Sequence, residues 1–287
     1  MQRLHRGIPI SGIDKPLSRL VLGTSSYKPS HREDSFRILD RFVELGGTVI
    51  DTARAYGGGE SEALLGLWLE ERRNRSGVVL ITKCGHGKDF MLPLDDFEGM
   101  VRRELAQSLE SLGTESIDLY LLHRDNPRLP VGKVLEVLNR EIETGRIMAF
   151  GASNWTYHRI TEADAYARKH GLKGFSTISN NISLAVPAGP FYPGLVSVDE
   201  GGEKWHRKSR VPLISWSSLA RGFFTGCYTP ATATSSPAGP AGSGDFAERP
   251  ENAFERRMAE VYCTDENFQR LDRARQVGER KGGYTPA

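Results

Sequence analysis

Residues 48–57 of this 287-residue chain read TVIDTARAYG, and the interpretation of the remaining sequence rests on them. The first three residues are β-branched and predict a buried strand, because such side chains pack well on a pleated surface. Asp51 ends that strand, and Tyr56 lies on the loop that follows. In parallel α/β proteins, ligands bind at the carboxyl ends of the strands. The stretch therefore predicts a parallel strand that leads into a functional site.

Two later strands also end in polar side chains. Residues 78–82 lead into Lys83, and residues 117–122 lead into His123. Each polar residue taken alone has a structural explanation, such as a loop cap or a satisfied core histidine. A group of them at one edge is harder to explain as packing, because buried charges are costly unless they are paired. The sequence thus predicts that the acid, the tyrosine, the lysine and the histidine cluster.

The spacing of the predicted strands indicates a parallel β/α fold. Seven apolar strands alternate with helical patterns at intervals of about 30 residues, as in β/α repeats. A doubly wound sheet normally carries GxGxxG after an early strand. The glycines of residues 56–62, YGGGESE, lack that spacing. The pattern favours a barrel, for which a length of about 250 residues is typical.

Four segments resemble the aldo-keto reductase superfamily in order and spacing. They are VIDTARAYGGGESE (49–62), ITKCG (81–85), DLYLLHRDNP (118–127) and GASN (151–154). The resemblance implies a (β/α)8 TIM barrel that forms a single domain over residues 1–287. Weak alternation around a turn predicts a leading hairpin over residues 1–17. In the family, such a hairpin closes the barrel floor.

Several local predictions follow from the patterns along the chain. Ser61 is expected to cap the second helix. Strand six is expected at residues 175–179, and strand seven at residues 211–215. Residues 229–250 are rich in Ala, Thr, Ser, Pro and Gly and predict a mobile loop.

The last residues also enter the comparison with the family. Thr285 and Pro286 form a good helix start, because an N-cap residue precedes a proline at the first helical position. An eight-stranded barrel needs one more strand and helix. We therefore expect a barrel truncated before its last strand and helix. A naturally shortened protein is the alternative.

The resemblance implies reduction of an aldehyde or ketone by hydride transfer from NAD(P)H. Tyr56 would be the general acid, and the Lys83 cation would lower the pKa of its phenol. Asp51 would pair with Lys83, which offsets the cost of burying the lysine. His123 would hold the substrate carbonyl by a hydrogen bond or share in proton transfer.

The resemblance also assigns residues to the cofactor and the substrate. Ser153 and Asn154 would bind the nicotinamide carboxamide, and Trp216 would stack on its ring. Ser179 or Asn180 stands where the family usually has glutamine, so that contact departs from the family pattern. The cofactor candidates are Gly23, Thr24, Ser153, Asn154, Ser179, Trp216, Ser217, Leu219 and Arg221. The substrate-pocket candidates are Tyr27, Trp155 and the loop 124–130. NADPH is expected, and NADH is the alternative.

Composition limits the other function classes. The net charge of +2 gives no case for nucleic acid or an anionic membrane surface. Apolar runs stay far below the ~20 residues of a membrane-spanning helix. Three cysteines without CxxC spacing indicate neither a disulfide framework nor a zinc site, and no metal ligands are assigned. They predict a reducing, cytoplasmic location.

Two other functions remain open on the sequence. The first is a non-catalytic aldo-keto-reductase-like subunit that senses the cofactor or binds a partner, although such a module has no need of all four polar residues. The second is a cofactor-free barrel lyase or isomerase that uses Lys83 as a Schiff base.

Overall fold

The structure, a computed structural model, describes residues 7–87, 91–230 and 253–285. The strands are β1 (Val21–Gly23), β2 (Val49–Asp51), β3 (Val79–Cys84), β4 (Ile117–Leu122), β5 (Ile147–Ser153) and β6 (Ile178–Ser179). The helices are α1 (Arg32–Glu44), α2 (Glu60–Arg72), α3 (Phe97–Leu112), α4 (Val131–Glu143), α5 (Tyr157–His170), α6 (Glu200–Ser209), α7 (Ala253–Val261) and α8 (Asp265–Arg280). None of the described helices is long and apolar enough to cross a membrane.

The strands form one parallel sheet in which spatial neighbours follow the order of the chain. A doubly wound sheet would reverse its strand order at a switch point. Strands in consecutive order, each linked to the next through a helix, have the connectivity of a β/α barrel. The parallel β/α arrangement predicted from the sequence is therefore confirmed.

The chain divides into two compact units. The first comprises Met1–Ser179 with Gly202–Ile214, and it contains the sheet. The second comprises Asn180–Gly201 with Ser215–Ala287, and its core is built around Phe191, Phe223 and Tyr262. The single-domain boundary, 1–287, stays a prediction.

Both faces of the sheet in the first unit are covered. One face packs against helix side chains such as Trp68 and Leu105. The other face, called the inner face below, packs against Ile10 and Leu17 of the N-terminal segment. The inner face carries Val49, Val79, Ile81, Leu119, Leu121 and Ala149. Successive residues of a strand point to opposite faces, so residues two positions further along also belong to this face.

Three local predictions differ from the structure. Ser61 is not the N-cap, because α2 begins at Glu60 after Gly59, which has a left-handed φ of 105°. Strand six has two residues rather than five. Residues 211–215 form no extended strand, because only Leu213 makes a bridge, to Ile178.

Two other predicted segments lie partly outside the described residues. The predicted loop 229–250 falls outside them from residue 231 onward. The predicted hairpin 1–17 is described from Gly7, whose N–H donates to the carbonyl oxygen of Leu17 at 2.6 Å. The turn between them falls at Ser11 and Gly12.

Candidate active site

Side chains alternate between the two faces of a strand, and this alternation brings three polar side chains to the same face at one edge of the sheet. Asp51 lies two residues after Val49 on the inner face, and Lys83 lies two residues after Ile81. His123 follows β4, and its N–H donates to the carbonyl oxygen of Cys84 at 2.7 Å. All three residues therefore stand at the carboxyl ends of neighbouring parallel strands.

Lys83 is the centre of this cluster. Its Nζ lies 2.7 Å from Asp51 Oδ2, 2.7 Å from the carbonyl oxygen of Thr52 and 3.1 Å from the hydroxyl of Tyr56. An ammonium has three N–H donors, and here three oxygens accept them. Only 4% of the Lys83 side chain is exposed. The lysine is therefore held in one orientation between the acid and the phenol.

A sharp turn brings Tyr56 to this position. Gly57, Gly58 and Gly59 have φ values of 58°, 61° and 105°, a left-handed backbone that glycine adopts without steric cost. The turn connects the tyrosine to the start of α2. The Tyr56 ring centroid lies 4.7 Å from Lys83 Nζ.

His123 forms the other side of the cluster. Its ring lies edge-on to Tyr56, with the centroids 5.8 Å apart. Among the described residues, Nδ1 of His123 is buried with no hydrogen-bond partner. Burial lowers the pKa of His123 well below its usual value, and the positive charge of Lys83 lowers it further. The ring is neutral at physiological pH, so it can form a hydrogen bond to a polar ligand.

Two opposing effects set the ionisation of the tyrosine. Burial raises the pKa of Tyr56, and this effect outweighs the lowering by Lys83. Burial also opposes the charge of Lys83, but Asp51 and Tyr56 outweigh it and the lysine pKa is raised. Lys83 lowers the tyrosine pKa as predicted, but burial has the larger and opposite effect. The phenol is protonated and the lysine charged at neutral pH.

Sequence reasoning missed one residue beside the cluster. The ring of His86 lies 4.8 Å from that of His123, and its Nε2 is 3.1 Å from Nη2 of Arg124. Burial and then Arg124 lower the pKa of His86 to about 4. Its position just past the end of β3 was the available signal. Arg124 begins the predicted loop 124–130.

Three of the cofactor candidates lie together at the ends of β5 and β6. The hydroxyl of Ser153 donates to the carbonyl oxygen of Ser179 at 2.7 Å. The amide of Asn154 donates to the Ser153 hydroxyl at 3.1 Å and to the carbonyl oxygen of His123 at 3.2 Å. All three side chains are buried. Polar groups buried at a sheet edge beside His123 suit the amide of a bound ligand.

Two further candidates lie at the end of β1. Gly23 is exposed and pairs in register with Asp51. Thr24 is fully buried, and its hydroxyl contacts the carbonyl oxygen of Asp51 at 3.1 Å and the hydroxyl of Ser61 at 2.8 Å. The Thr24 side chain thus binds the protein itself, and the cofactor roles of both residues stay predictions.

The two aromatic substrate candidates have the contacts of core side chains. Tyr27 is 7% exposed, and burial raises its pKa to about 12. Trp155 is fully buried; its Nε1 donates to the carbonyl oxygen of Arg124, and its ring packs edge-on to Phe175. Their substrate roles stay predictions.

The remaining cofactor candidates belong to the second unit. Ser217 and Arg221 have left-handed φ values of 51° and 54°. The guanidinium of Arg221 lies over the rings of Phe191 and Trp216, at 4.4 and 5.9 Å from their centroids. Leu219 between them is 38% exposed.

A parallel β/α fold with polar groups at the strand ends defines a broad class of proteins. The chain belongs to the aldo/keto reductase family, whose family model matches residues 19–287. It is 28% identical over 205 residues to the aldo-keto reductase yakc [NADP(+)] of Schizosaccharomyces pombe, covering 70% of this chain and 57% of that protein. It is 32% identical over 184 residues to the norsolorinic acid reductase of Aspergillus flavus, covering 59% and 47%. The chain thus spans about half the length of these curated relatives.

A solved structure has the same fold. The glycerol dehydrogenase of Gluconobacter oxydans superposes with a TM-score of 0.70, over 97% of this chain and 79% of that one. The two sequences are 22% identical, so the likeness concerns the fold alone.

Proposed function

We propose that this protein is an oxidoreductase that uses NADPH, or else NADH, to reduce an aldehyde or a ketone to an alcohol. The observation that carries the proposal is Lys83 held between the carboxylate of Asp51 and the phenol of Tyr56. Membership in the aldo/keto reductase family supports it, as does a relative whose name carries NADP(+). A small carbonyl compound is the proposed substrate.

In this proposal the nicotinamide supplies the hydride when it is bound, and the protein supplies the proton. Tyr56 donates its phenolic proton to the carbonyl oxygen of the substrate. The Lys83 charge stabilises the phenolate that results, and Asp51 keeps the lysine charged and in place. His123 positions the carbonyl by a hydrogen bond from its neutral ring. A lysine held in its charged form is unsuited to Schiff-base chemistry, which needs the neutral amine.

The buried polar cluster fits a nicotinamide. Ser153 and Asn154 would hold the carboxamide, with Ser179 beside them in place of the usual glutamine. Gly23 and Thr24 would contact the cofactor from the end of β1. Contacts of Trp216, Ser217, Leu219 and Arg221 with the ring and the phosphates stay predictions. The eight-stranded closure of the barrel and the cytoplasmic location stay predictions.

The test is the Tyr56→Phe variant. We expect kcat for an aromatic aldehyde to fall by about 100-fold or more, the size typical of a lost general acid. The affinity for NADPH should stay within about twofold of that of the unmodified protein. The proposed role of the phenol is to donate a proton to the substrate and not to bind the cofactor. Turnover is measured by loss of NADPH absorbance and binding by calorimetry.

Two outcomes would count against the assignment. Unchanged turnover would exclude Tyr56 as the acid, and loss of cofactor affinity together with turnover would give the phenol a binding role instead. If the unmodified protein binds NADPH but reduces no aldehyde or ketone, the non-catalytic subunit becomes the better description.

A further inference from the structure

The proposed chemistry does not use Glu62, although this carboxylate in α2 is completely buried. Its Oε1 accepts a hydrogen bond from the hydroxyl of Thr82 at 2.6 Å, and its Oε2 accepts one from Nη1 of Arg54 at 2.7 Å. A buried carboxylate is costly unless it is paired and hydrogen-bonded. Its two partners belong to the two segments that carry Lys83 and Tyr56.

Thr82 connects Glu62 to the strand of the lysine. It immediately precedes Lys83 in β3, so its side chain points to the opposite face of the sheet. Glu62 therefore holds β3 from the helix side at the point where Lys83 projects from the inner face.

Arg54 connects Glu62 to the loop of the tyrosine. Its Nη2 donates to the carbonyl oxygen of Gly58 at 2.8 Å, so the guanidinium spans the loop around Tyr56. Its backbone N–H donates to the carbonyl oxygen of Lys83 at 3.1 Å. Gly59 leaves the space for this arrangement, because a Cβ at that residue would lie 1.6 Å from Nη2.

We infer that Glu62 is a positioning residue that holds the phenol of Tyr56 against Nζ of Lys83. One carboxylate oxygen fixes the strand of the lysine, and the other fixes the loop of the tyrosine through Arg54. The importance of this contact for proton transfer rests on the proposed function. The contact itself can be measured without turnover.

The experiment uses Glu62→Gln, which keeps the shape and removes the charge. In its crystal structure we expect the distance between Lys83 Nζ and the Tyr56 oxygen to exceed the ~3.5 Å limit of a hydrogen bond. We expect kcat for aldehyde reduction to fall about tenfold, the size of a weakened general acid, while KM for NADPH stays unchanged. An unchanged distance in the folded variant overturns the inference.

A second pair of variants keeps the test valid if Glu62→Gln does not fold. Thr82→Val removes the hydroxyl that Glu62 accepts from, and Thr82→Ser keeps it. We expect Thr82→Val to lengthen the distance between Lys83 Nζ and the Tyr56 oxygen and to lower kcat. In Thr82→Ser we expect both quantities to match those of the unmodified protein. Equal behaviour of the two variants would overturn the inference.

Asp118→Asn is the matched control. Asp118 is also a buried carboxylate that contacts β3, through Leu80 N–H at 2.8 Å, and it pairs with Lys15 and Arg75. This variant should lower stability and leave both the contact and kcat unchanged. If it lowers kcat as Glu62→Gln does, general loosening of the fold explains the effect and the positioning role is wrong. If the unmodified protein reduces no carbonyl compound, the proposed function fails, while the measured distances still decide this inference.

Discussion

Lys83 exchanges water for three protein oxygens, and this exchange explains why the site is rigid. Each acceptor comes from the segment between Asp51 and Tyr56, so the lysine ties the end of β2 to the loop that follows. A desolvated ammonium is stable only when such partners are fixed in place. The rigidity of the site is therefore a condition of burying the lysine.

The neutral state of His123 predicts how stability depends on pH. The folded protein resists protonation of this ring, whereas the unfolded chain binds the proton near pH 6.5. Stability is therefore complete above that pH and falls as the pH decreases. Between pH 7 and pH 5, the free energy of unfolding of the unmodified protein should decrease. In His123→Gln we expect this decrease to be smaller by about 1–2 kcal/mol.

Denaturant unfolding at both pH values measures this difference. His31→Gln, which makes the same substitution at an exposed histidine, serves as the control. A His123→Gln protein with the same pH dependence as the unmodified chain would contradict the assignment of a half-buried, neutral ring.

The four central residues of the site were predictable because each stands at the carboxyl end of a strand or on the loop that follows one. Glu62 was not, since a glutamate in the helical stretch ESEALLG looks solvent-facing until Thr82 and Arg54 are found against it. The raising of the Tyr56 pKa by burial was not predictable for the same reason. The effect of burial depends on neighbours that are distant in the sequence.

Among the secondary-structure elements, α2 is connected to the sheet through Ser61. Its hydroxyl donates to the carbonyl oxygen of Thr24 at 2.9 Å and shares hydrogen bonds with the hydroxyls of Thr24 and Thr52. We expect Ser61→Ala to cost about 1–3 kcal/mol of stability, because buried partners lose their hydrogen bonds. Thermal and denaturant unfolding measure this cost.

Ser108→Ala is the control for this prediction. The Ser108 hydroxyl is equally buried, but among the described residues it has no hydrogen-bond partner. Its removal should be neutral or slightly stabilising. Equal losses in the two variants would show that hydrogen bonding at Ser61 contributes nothing beyond the burial of a hydroxyl.

The strands show which elements a sequence pattern can predict. The bounds of β4, Ile117–Leu122, were predicted as they occur, because an apolar run between two helices is unambiguous. The predicted strand at residues 211–215 has a similar apolar pattern but makes a single bridge. Ladder hydrogen bonds depend on the alignment of a neighbouring strand. The hydrophobic periodicity of one segment does not indicate that alignment.

For the molecule as a whole, the three free cysteines report on its two units. Cys84 is buried in the first unit, while Cys227 is exposed and Cys263 half-buried in the second. Burial raises the pKa of Cys84, and it raises the pKa of Cys263 to about 11. The thiolate is the reactive form, so native alkylation should modify Cys227 first and Cys84 last.

Pulsed alkylation in increasing urea, read by peptide mass spectrometry, tests this order. Cys84 should stay protected until the sheet of the first unit unfolds, because local opening exposes core strands least. Rapid labelling of Cys84 without denaturant would contradict the burial of β3. The midpoints for Cys84 and Cys263 also give the unfolding transition of each unit separately.

Gly59 and Arg54 affect how this sequence can change over generations. A larger residue at position 59 would displace the guanidinium from Glu62, and losing the guanidinium first leaves Glu62 buried without its cation. Either order of single changes passes through a damaged intermediate. Across descendants of this lineage, the two positions are therefore expected to covary and to be among the slowest to diverge.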